Sequence, residues 1–210
     1  MPSAVYRYPI IAREGWMYII LVGGAALLAQ YYVGTAPAFW LWLVALGLIY
    51  LFRDPHRRVP ASPLGVVSPV DGLVLSVGEA FDPWLDRSAL RGRIGMRPQG
   101  VFSVRSPVEG KVSEQWLPGR GERSPRRGYA QWIRTDEGDD IVLAIEPALV
   151  MRRPFCYVEP GQRVGQGQRC GYIPFGTRLE VFLPQGTRIA VEPGQKVLSG
   201  TDIVASLIHK

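Results

Sequence analysis

The chain has 210 residues, of which 47% are hydrophobic, and 24 lysines and arginines against 18 acidic residues give it a net charge of +6. This length suits one domain plus an appendage. The basic excess suits a domain resting on an anionic membrane surface. Nucleic acid is the competing partner, but the sequence has no recognition helix, zinc-ligand spacing or aromatic–basic ribbon, and we exclude it.

Two apolar runs near the N-terminus predict a helical hairpin in a membrane. They cover residues 17–33 and 36–52, and each is about long enough to cross a bilayer core. Tryptophans and tyrosines cluster near their ends, as in an aromatic belt. The alternative is a buried helical hairpin of a soluble protein. We favour the membrane because the sequence predicts no other helix that would cover these runs.

Basic residues on both sides of the hairpin predict its orientation. Arg7 and Arg13 precede it, Arg53, Arg57 and Arg58 follow it, and the turn carries no charge. By the positive-inside rule both ends are cytoplasmic. We therefore expect a multi-pass protein of the cell (inner) membrane whose main domain faces the cytoplasm. The predicted organisation is an N-terminal segment (1–15), the two-helix membrane hairpin (16–52), a basic linker (53–61) and one β domain (62–210).

The β domain is predicted from short β-branched runs that alternate with Gly and Pro. Residues 68–74 (SPVDGLV) recur as 106–112 (SPVEGKV), and 160–167 (PGQRVGQG) recur as 193–200 (PGQKVLSG). These segments are turns leading into strands, because Pro fixes φ and Gly accepts positive φ. They are typical of a barrel or sandwich built from hairpins, like the lipoyl and biotinyl domains.

Three further interpretations concern other parts of this domain. The carriers of the lipoyl class hold a lysine at a hairpin tip, and the absence of lysine between residues 167 and 193 argues against that function. Residues 80–90 are the one segment for which we expect a helical turn or two. The acidic pairs 136–137 and 139–140 are interpreted as a solvated turn, so we predict no metal site.

A glycine followed by a hydroxyl residue occurs at Gly176-Thr177, between two β-type runs. In some proteins such a hydroxyl attacks the preceding carbonyl and converts the amide into an ester. Elimination then leaves an α-keto acyl group, which is a built-in electrophile. By itself a Gly-Thr pair is far more often only a turn.

Several short motifs occur together in this chain, in one order. They are residues 11–16 (IAREGW), 52–55 (FRDP), 67–72 (VSPVDG), 105–110 (RSPVEG), Arg152-Arg153 and 175–178 (FGTR). In this order and spacing they resemble the short, membrane-associated branch of the phosphatidylserine decarboxylase family. Each motif is weak alone, whereas the series is specific and covers nearly the whole chain.

The resemblance implies a self-cleaving proenzyme of phospholipid biosynthesis. In the family a Gly-Ser bond breaks, and the serine becomes a pyruvoyl group. This group forms an imine with the amino group of phosphatidylserine, a membrane phospholipid, and draws electrons as carbon dioxide leaves to give phosphatidylethanolamine. The cleavage glycine matches Gly176. An aspartate that helps to activate the serine matches Asp71, which could otherwise serve only to stabilise a turn.

Arginines are the candidate ligands for the lipid. Arg152 and Arg153 could bind the phosphate through bidentate hydrogen bonds, although a structural role for one of them is an open alternative. Arg105 and Arg178 are further candidates for substrate binding. We also expect Arg178 to pair with Glu180, since residues two apart share one face of a strand.

Two departures from the family pattern concern the chemistry itself. Thr177 stands where the family has serine, so processing would give a 2-oxobutyryl group instead of pyruvoyl. Phe102 stands where the family has a histidine, and phenylalanine neither accepts nor donates a proton. Loss of a general base commonly costs roughly a hundredfold to ten-thousandfold in rate. The histidines of this chain, His56 and His209, are predicted to be surface residues.

Other departures lie beside the site. Glu146-Pro147 replaces an Ala-Gly pair, and the loop at 118–131 lacks the Asn-Glu-Arg sequence of the family, with Glu122-Arg123 as a remnant. Two hypotheses follow. The chain is a decarboxylase that runs on Thr177 and Asp71 with a rearranged base, or an uncleaved pseudoenzyme without a cofactor that binds phospholipid or a protein partner. A homo-oligomer is left open.

Overall fold

The computed structural model describes residues 9–97, 100–117, 128–146, 155–173 and 176–208, except for the side chains of residues 155 and 156. These residues form two compact units, a helical one that ends at His56 and a β-rich one that begins at Arg57. The second half of the predicted linker thus belongs to the β unit. Arg152, Arg153, Pro147, Glu122, Arg123 and His209 lie outside the described residues.

Two helices, α1 (Arg13–Tyr32) and α2 (Thr35–Leu51), make up the helical unit. The turn between them is closed by Gly34, which has φ of 118° and donates its N–H to the carbonyl of Ala29 at 3.0 Å. Length and composition would allow α1 to cross a membrane, while α2 is apolar but shorter. Helix α1 begins at Arg13, three residues before the predicted start of the hairpin at residue 16.

The two helices contact each other through small residues. Ala26, Ala38 and Ala45 are buried, and the indole of Trp42 donates to the side-chain oxygen of Gln30 at 3.2 Å. Large apolar residues such as Leu28 point away from this contact and are exposed. Small residues between helices and large ones outside are typical of helices packed in lipid.

The described residues of the β unit form fourteen strands in three antiparallel sheets. An eight-stranded sheet has the order β13-β2-β3-β11-β7-β6-β5-β9, and two smaller sheets have the orders β1-β14-β12 and β4-β10-β8. The strands are β1 (Gly65–Val67), β2 (Gly72–Asp82), β3 (Arg87–Met96), β4 (Ser103–Arg105), β5 (Gly110–Trp116), β6 (Tyr129–Arg134), β7 (Asp140–Ile145), β8 (Phe155–Cys156), β9 (Arg163–Val164), β10 (Arg169–Tyr172), β11 (Arg178–Leu183), β12 (Arg188–Ile189), β13 (Lys196–Val197) and β14 (Ile203–Ser206).

The expected helical turn at residues 80–90 is wrong, because this segment is the β2–β3 hairpin. Asp82 pairs with Arg87 at the end of the ladder, and its carboxylate accepts the N–H of Trp84 at 3.0 Å. Asp86 adopts φ of 52°, a left-handed conformation that closes the turn. Pairing between the long strands therefore determines the local structure more strongly than helix propensity does.

The sequence repeats predicted as turns before strands are equivalent in the structure. The N–H of Val67 donates to the carbonyl of Pro107 at 2.9 Å, and in return that of Arg105 donates to Pro69 at 2.8 Å. Both Ser68 and its counterpart form a side-chain hydrogen bond to the carbonyl two residues on, at 2.8 and 2.7 Å. The exchange of hydrogen bonds shows that the two repeats face each other.

Each copy of the Ser-Pro segment is joined to one copy of the Pro-Gly-Gln segment, and the two pairs are joined in the same way. Strand β2 pairs with β13, and strand β5 pairs with β9. The turn glycines Gly167 and Gly200 have φ of 71° and 69°. Gly167 donates its N–H to the carbonyl of Ser106, and Gly200 donates to the carbonyl of Ser68, both at 2.8 Å. We call residues 68–74 with 193–200 the first half and residues 106–112 with 160–167 the second half. One core, which includes Val74 and Val112, lies beneath both halves.

Candidate active site

The Gly176-Thr177 bond lies at the end of β3. Gly176 has φ of 68°, and a Cβ placed on it would come within 3.0 Å of the Cβ of Met96 and 3.5 Å of the Phe102 ring. The N–H of Met96 donates to the carbonyl of Thr177 at 2.9 Å. A left-handed glycine in contact with two side chains leaves no room for another residue type here.

The hydroxyl of Thr177 is bound to the backbone. Its Oγ1 donates to the carbonyl oxygen of Glu146 at 3.1 Å, and Glu146 in turn donates its N–H to the carbonyl of Arg178 at 3.0 Å. Within the described part of the chain, this carbonyl is the hydroxyl's hydrogen-bond partner. A carbonyl oxygen is too weak a base to remove the hydroxyl proton, so this contact holds Thr177 without activating it.

Phe102 packs where the resemblance places a histidine. Its ring is 2% exposed, touches the Gly176 position and lies edge-to-face with Tyr172 at 6.3 Å between centroids. Its backbone carbonyl accepts the N–H of Ile173 at 2.9 Å. The space beside the bond is thus filled by an apolar aromatic contact, which supplies no proton acceptor.

Asp71 lies near this point, because the adjacent Gly72 pairs with Met96. It is 7% exposed, and both carboxylate oxygens are engaged. The guanidinium of Arg57 donates to Oδ2 at 2.8 Å, and the backbone N–H of Ser199 donates to Oδ1 at 2.7 Å. The structure therefore gathers Asp71, Phe102 and the Gly176-Thr177 bond in one region, with the acid in an ion pair.

Arg105 is an internal residue. Its side chain is 2% exposed, and it donates from Nη1 to the carbonyl of Gly167 at 3.3 Å. It also lies against Gly200, so it runs between the turn glycines of the two halves. This placement favours a structural role over contact with a lipid.

Arg178 is exposed, but the expected pair with Glu180 is wrong. Glu180 lies opposite Arg93 in the β3–β11 register and accepts its Nε and Nη2 at 3.1 and 2.7 Å. Directly opposite side chains are closer than neighbours two residues apart along a strand, so the cross-strand arginine is bound. This hydrogen bond raises the pKa of the Arg93 guanidinium. Arg178 instead pairs with Glu146 at 3.8 Å.

The site is held together by contacts that the sequence did not predict. Arg57 and Ser199 bind Asp71, and Met96 and Glu146 bind Thr177. Three of these contacts use the backbone, which leaves no residue-type signal. Arg57 was visible only as one of several linker arginines. His56 is exposed, as predicted.

Comparison with known proteins decides the family. The family model described as phosphatidylserine decarboxylase matches residues 45–205. The chain belongs to the phosphatidylserine decarboxylase family. It is 39% identical to the phosphatidylserine decarboxylase proenzyme of Nitrosomonas europaea, covering 98% of this chain and 99% of that protein. It is 38% identical to that of Burkholderia lata, covering 96% and 98%.

Among solved structures, the chain is similar to the glucose permease IIA from Mycoplasma capricolum. The TM-score is 0.46 and the sequence identity 20%, over 68% of this chain and 94% of that one. This likeness is too low to carry an argument about fold or function.

Proenzymes of this family process themselves, which implies a keto-acyl group made from their own chain. Thr177 is the residue that would have to be converted. Its hydroxyl is bound by the carbonyl of Glu146, Phe102 fills the adjacent space, and Asp71 is bound by Arg57. As far as the described residues go, these surroundings do not fit the formation of the group, because the partner of the hydroxyl there is a backbone carbonyl and not a side-chain base.

Proposed function

We propose that this member of the phosphatidylserine decarboxylase family stays uncleaved and works as a non-catalytic, phospholipid-associated protein of the membrane. The observation that carries the proposal is the state of the Thr177 hydroxyl. It donates to a backbone carbonyl at 3.1 Å, while the histidine position holds the buried ring of Phe102. Among the described residues, these contacts supply neither a free hydroxyl at Thr177 nor a side-chain base beside it, which supports an uncleaved chain.

The apolar faces of the helices and the exposed Arg58 support association with a lipid membrane. Both helices present large apolar side chains outward over their length, including Leu21, Leu28 and Trp40. Such faces are stable in lipid and unfavourable in water. Arg58, the exposed arginine among those that follow α2, would face anionic headgroups if both helices cross the bilayer with their ends in the cytoplasm. We therefore propose a multi-pass inner-membrane protein whose β unit faces the cytoplasm.

The repeated turns also support a finer description of the β unit. The two halves exchange backbone hydrogen bonds, which supports an arrangement of paired hairpins like that of lipoyl and biotinyl domains. We propose a closed barrel of hairpins of that kind. It serves as a scaffold that presents the Gly176 region without the carrier lysine.

The first experiment is the intact mass of the full chain purified in detergent, with a denaturing gel beside it. A single full-length chain supports the proposal. Two chains divided between Gly176 and Thr177, with the smaller carrying a 2-oxobutyryl end, would overturn it. A matched sample of the Thr177→Val variant, which keeps the size of the side chain but lacks the attacking hydroxyl, marks the mobility of a chain that cannot be processed at this bond.

A second candidate function is self-processing at Thr177 followed by decarboxylation. It is favoured by the convergence of Asp71, Gly176 and Thr177 at the end of β3. In this reaction Oγ1 attacks the Gly176 carbonyl and the C–N bond breaks to leave an ester. Elimination releases the Gly176 carboxylate, and water then displaces ammonia to leave the 2-oxobutyryl end. Carbon dioxide release from phosphatidylserine vesicles would establish it, provided that cleaved protein releases the gas and uncleaved protein does not.

A further inference from the structure

The linker that follows the helices is bound to the β unit by an ion pair with low exposure. The side chains of Arg57 and Asp71 are 17% and 10% exposed, and their Nη2 and Oδ2 atoms lie 2.8 Å apart. By contrast, Arg163 and Asp136 form an ion pair whose side chains are about 60% exposed. An exposed pair of that type contributes little, whereas removing one partner of a buried pair leaves a charge uncompensated.

A second contact fixes the linker two residues later. Val59 is 6% exposed and packs against Gly167, the turn glycine of the second half. Gly167 has φ of 71°, and a Cβ there would overlap the Val59 side chain. The linker thus contacts both halves, through Arg57 in the first and through Val59 in the second.

We infer that Arg57 and Asp71 form a latch that locks the linker onto the β unit and keeps the carboxylate from other partners. Ser199 completes the latch, because its N–H at 2.7 Å occupies the second carboxylate oxygen. With both oxygens engaged, Asp71 acts as an anchor for residues 57–59. The inference concerns docking of the linker and holds whether or not the Gly176-Thr177 bond is cleaved.

Limited trypsin digestion of the full chain in detergent tests the latch. Trypsin cuts after Arg58 only when the linker leaves the β unit, and cutting at such a site follows the population of the open form. We expect Asp71→Asn to accelerate this cut at least tenfold, as measured by mass spectrometry of the fragments. The matched control is Glu109→Gln, which changes the equivalent but exposed acid of the second half and should leave the rate unchanged.

A cut after Arg91, in the middle of β3 and paired with both β2 and β11, reports opening of the central sheet in the same digest. Acceleration at Arg58 without acceleration at Arg91 supports the latch. Equal acceleration at both sites, or none at Arg58, would overturn it. The conservative variant Arg57→Lys keeps a cation that can donate to Oδ2 and leaves the Ser199 contact intact, so it should stay protected at Arg58, whereas Arg57→Gln should open. If Asp71→Asn fails to fold, Arg57→Gln serves as the opening variant, since Arg58 remains available for cleavage.

Discussion

Asp71 and Glu109 occupy equivalent places in the two halves of the β unit, yet their surroundings differ. Asp71 is 7% exposed and bound by Arg57 and by the backbone of Ser199, whereas Glu109 is exposed to solvent. The backbone around them repeats closely, down to the hydrogen bond of each serine to the carbonyl two residues on. The comparison teaches that the turn is a scaffold feature of both halves, while the buried acid belongs to one.

The largest expected effect comes from restoring the chemistry beside Asp71, the buried acid of the first half. Thr177→Ser with Phe102→His supplies the nucleophile and base that the family uses, and we expect the intact chain to become two chains. Intact mass and a denaturing gel measure the change from no cleavage to complete cleavage. An uncut double variant would show that the Glu146 region, or the latch on Asp71, also prevents processing. Thr177→Ser alone, without the base, is the control and should stay intact.

The second largest effect is expected from substituting the glycines that begin β2 and β5. A Cβ on Gly72 would overlap the carbonyl of Gly95, and one on Gly110 would overlap that of Arg134. Because backbone cannot move aside easily, we expect Gly72→Ala and Gly110→Ala each to lower the free energy of unfolding by about 2–3 kcal/mol. Guanidinium unfolding followed by tryptophan fluorescence measures it. A loss in only one variant would contradict the equivalence of the halves.

A smaller effect is expected at the serines of the two repeats. Ser68 and Ser106 are fully buried, and each donates to a carbonyl two residues on. Replacing either by alanine leaves that carbonyl without this donor, at a cost of about 1 kcal/mol. Urea unfolding of Ser68→Ala and Ser106→Ala should give matching shifts in midpoint. Unequal shifts would mean that one half contributes more to the core than the other.

The smallest effect is expected at the turn glutamines. Gln162 and Gln195 are exposed, and each accepts a backbone N–H three residues before it at 3.1 Å, from Glu159 and from Glu192. Replacement by alanine should change the free energy of unfolding by less than about 0.5 kcal/mol in either half. The same urea titration measures the change, and a loss of more than about 1 kcal/mol of unfolding free energy in one half would contradict the equivalence of the two turns.

The sequence predicted what depends on local pattern. The repeated Pro-Gly and Ser-Pro segments marked turns before strands, since positive φ at glycines such as Gly167 and Gly200 is a local requirement. The family motifs placed Gly176 and Phe102 together, as the structure does. The segment at 80–90 misled us because its strand character comes from pairing of β2 with β3, which no short window contains.

The binding partners of the site could not be predicted for a related reason. Ser199 reaches Asp71 through its backbone N–H across 128 positions of sequence, so its side chain gave no signal. The carbonyl of Glu146 likewise receives the Thr177 hydroxyl whatever residue stands there. Arg178 and Glu180 were paired by proximity along the strand, but the β3–β11 register brings Arg93 closer to the glutamate.

The positions of the last strands determine what a cut at Gly176 would do to the protein. Beyond this bond, β11 lies between β3 and β7, β13 pairs with β2, and β14 lies between β1 and β12. A nick there would therefore leave two interleaved pieces that share sheets and core, rather than a domain and a released tail. Residues 1–176 and 177–210, expressed as separate polypeptides, should associate and copurify as a complemented pair.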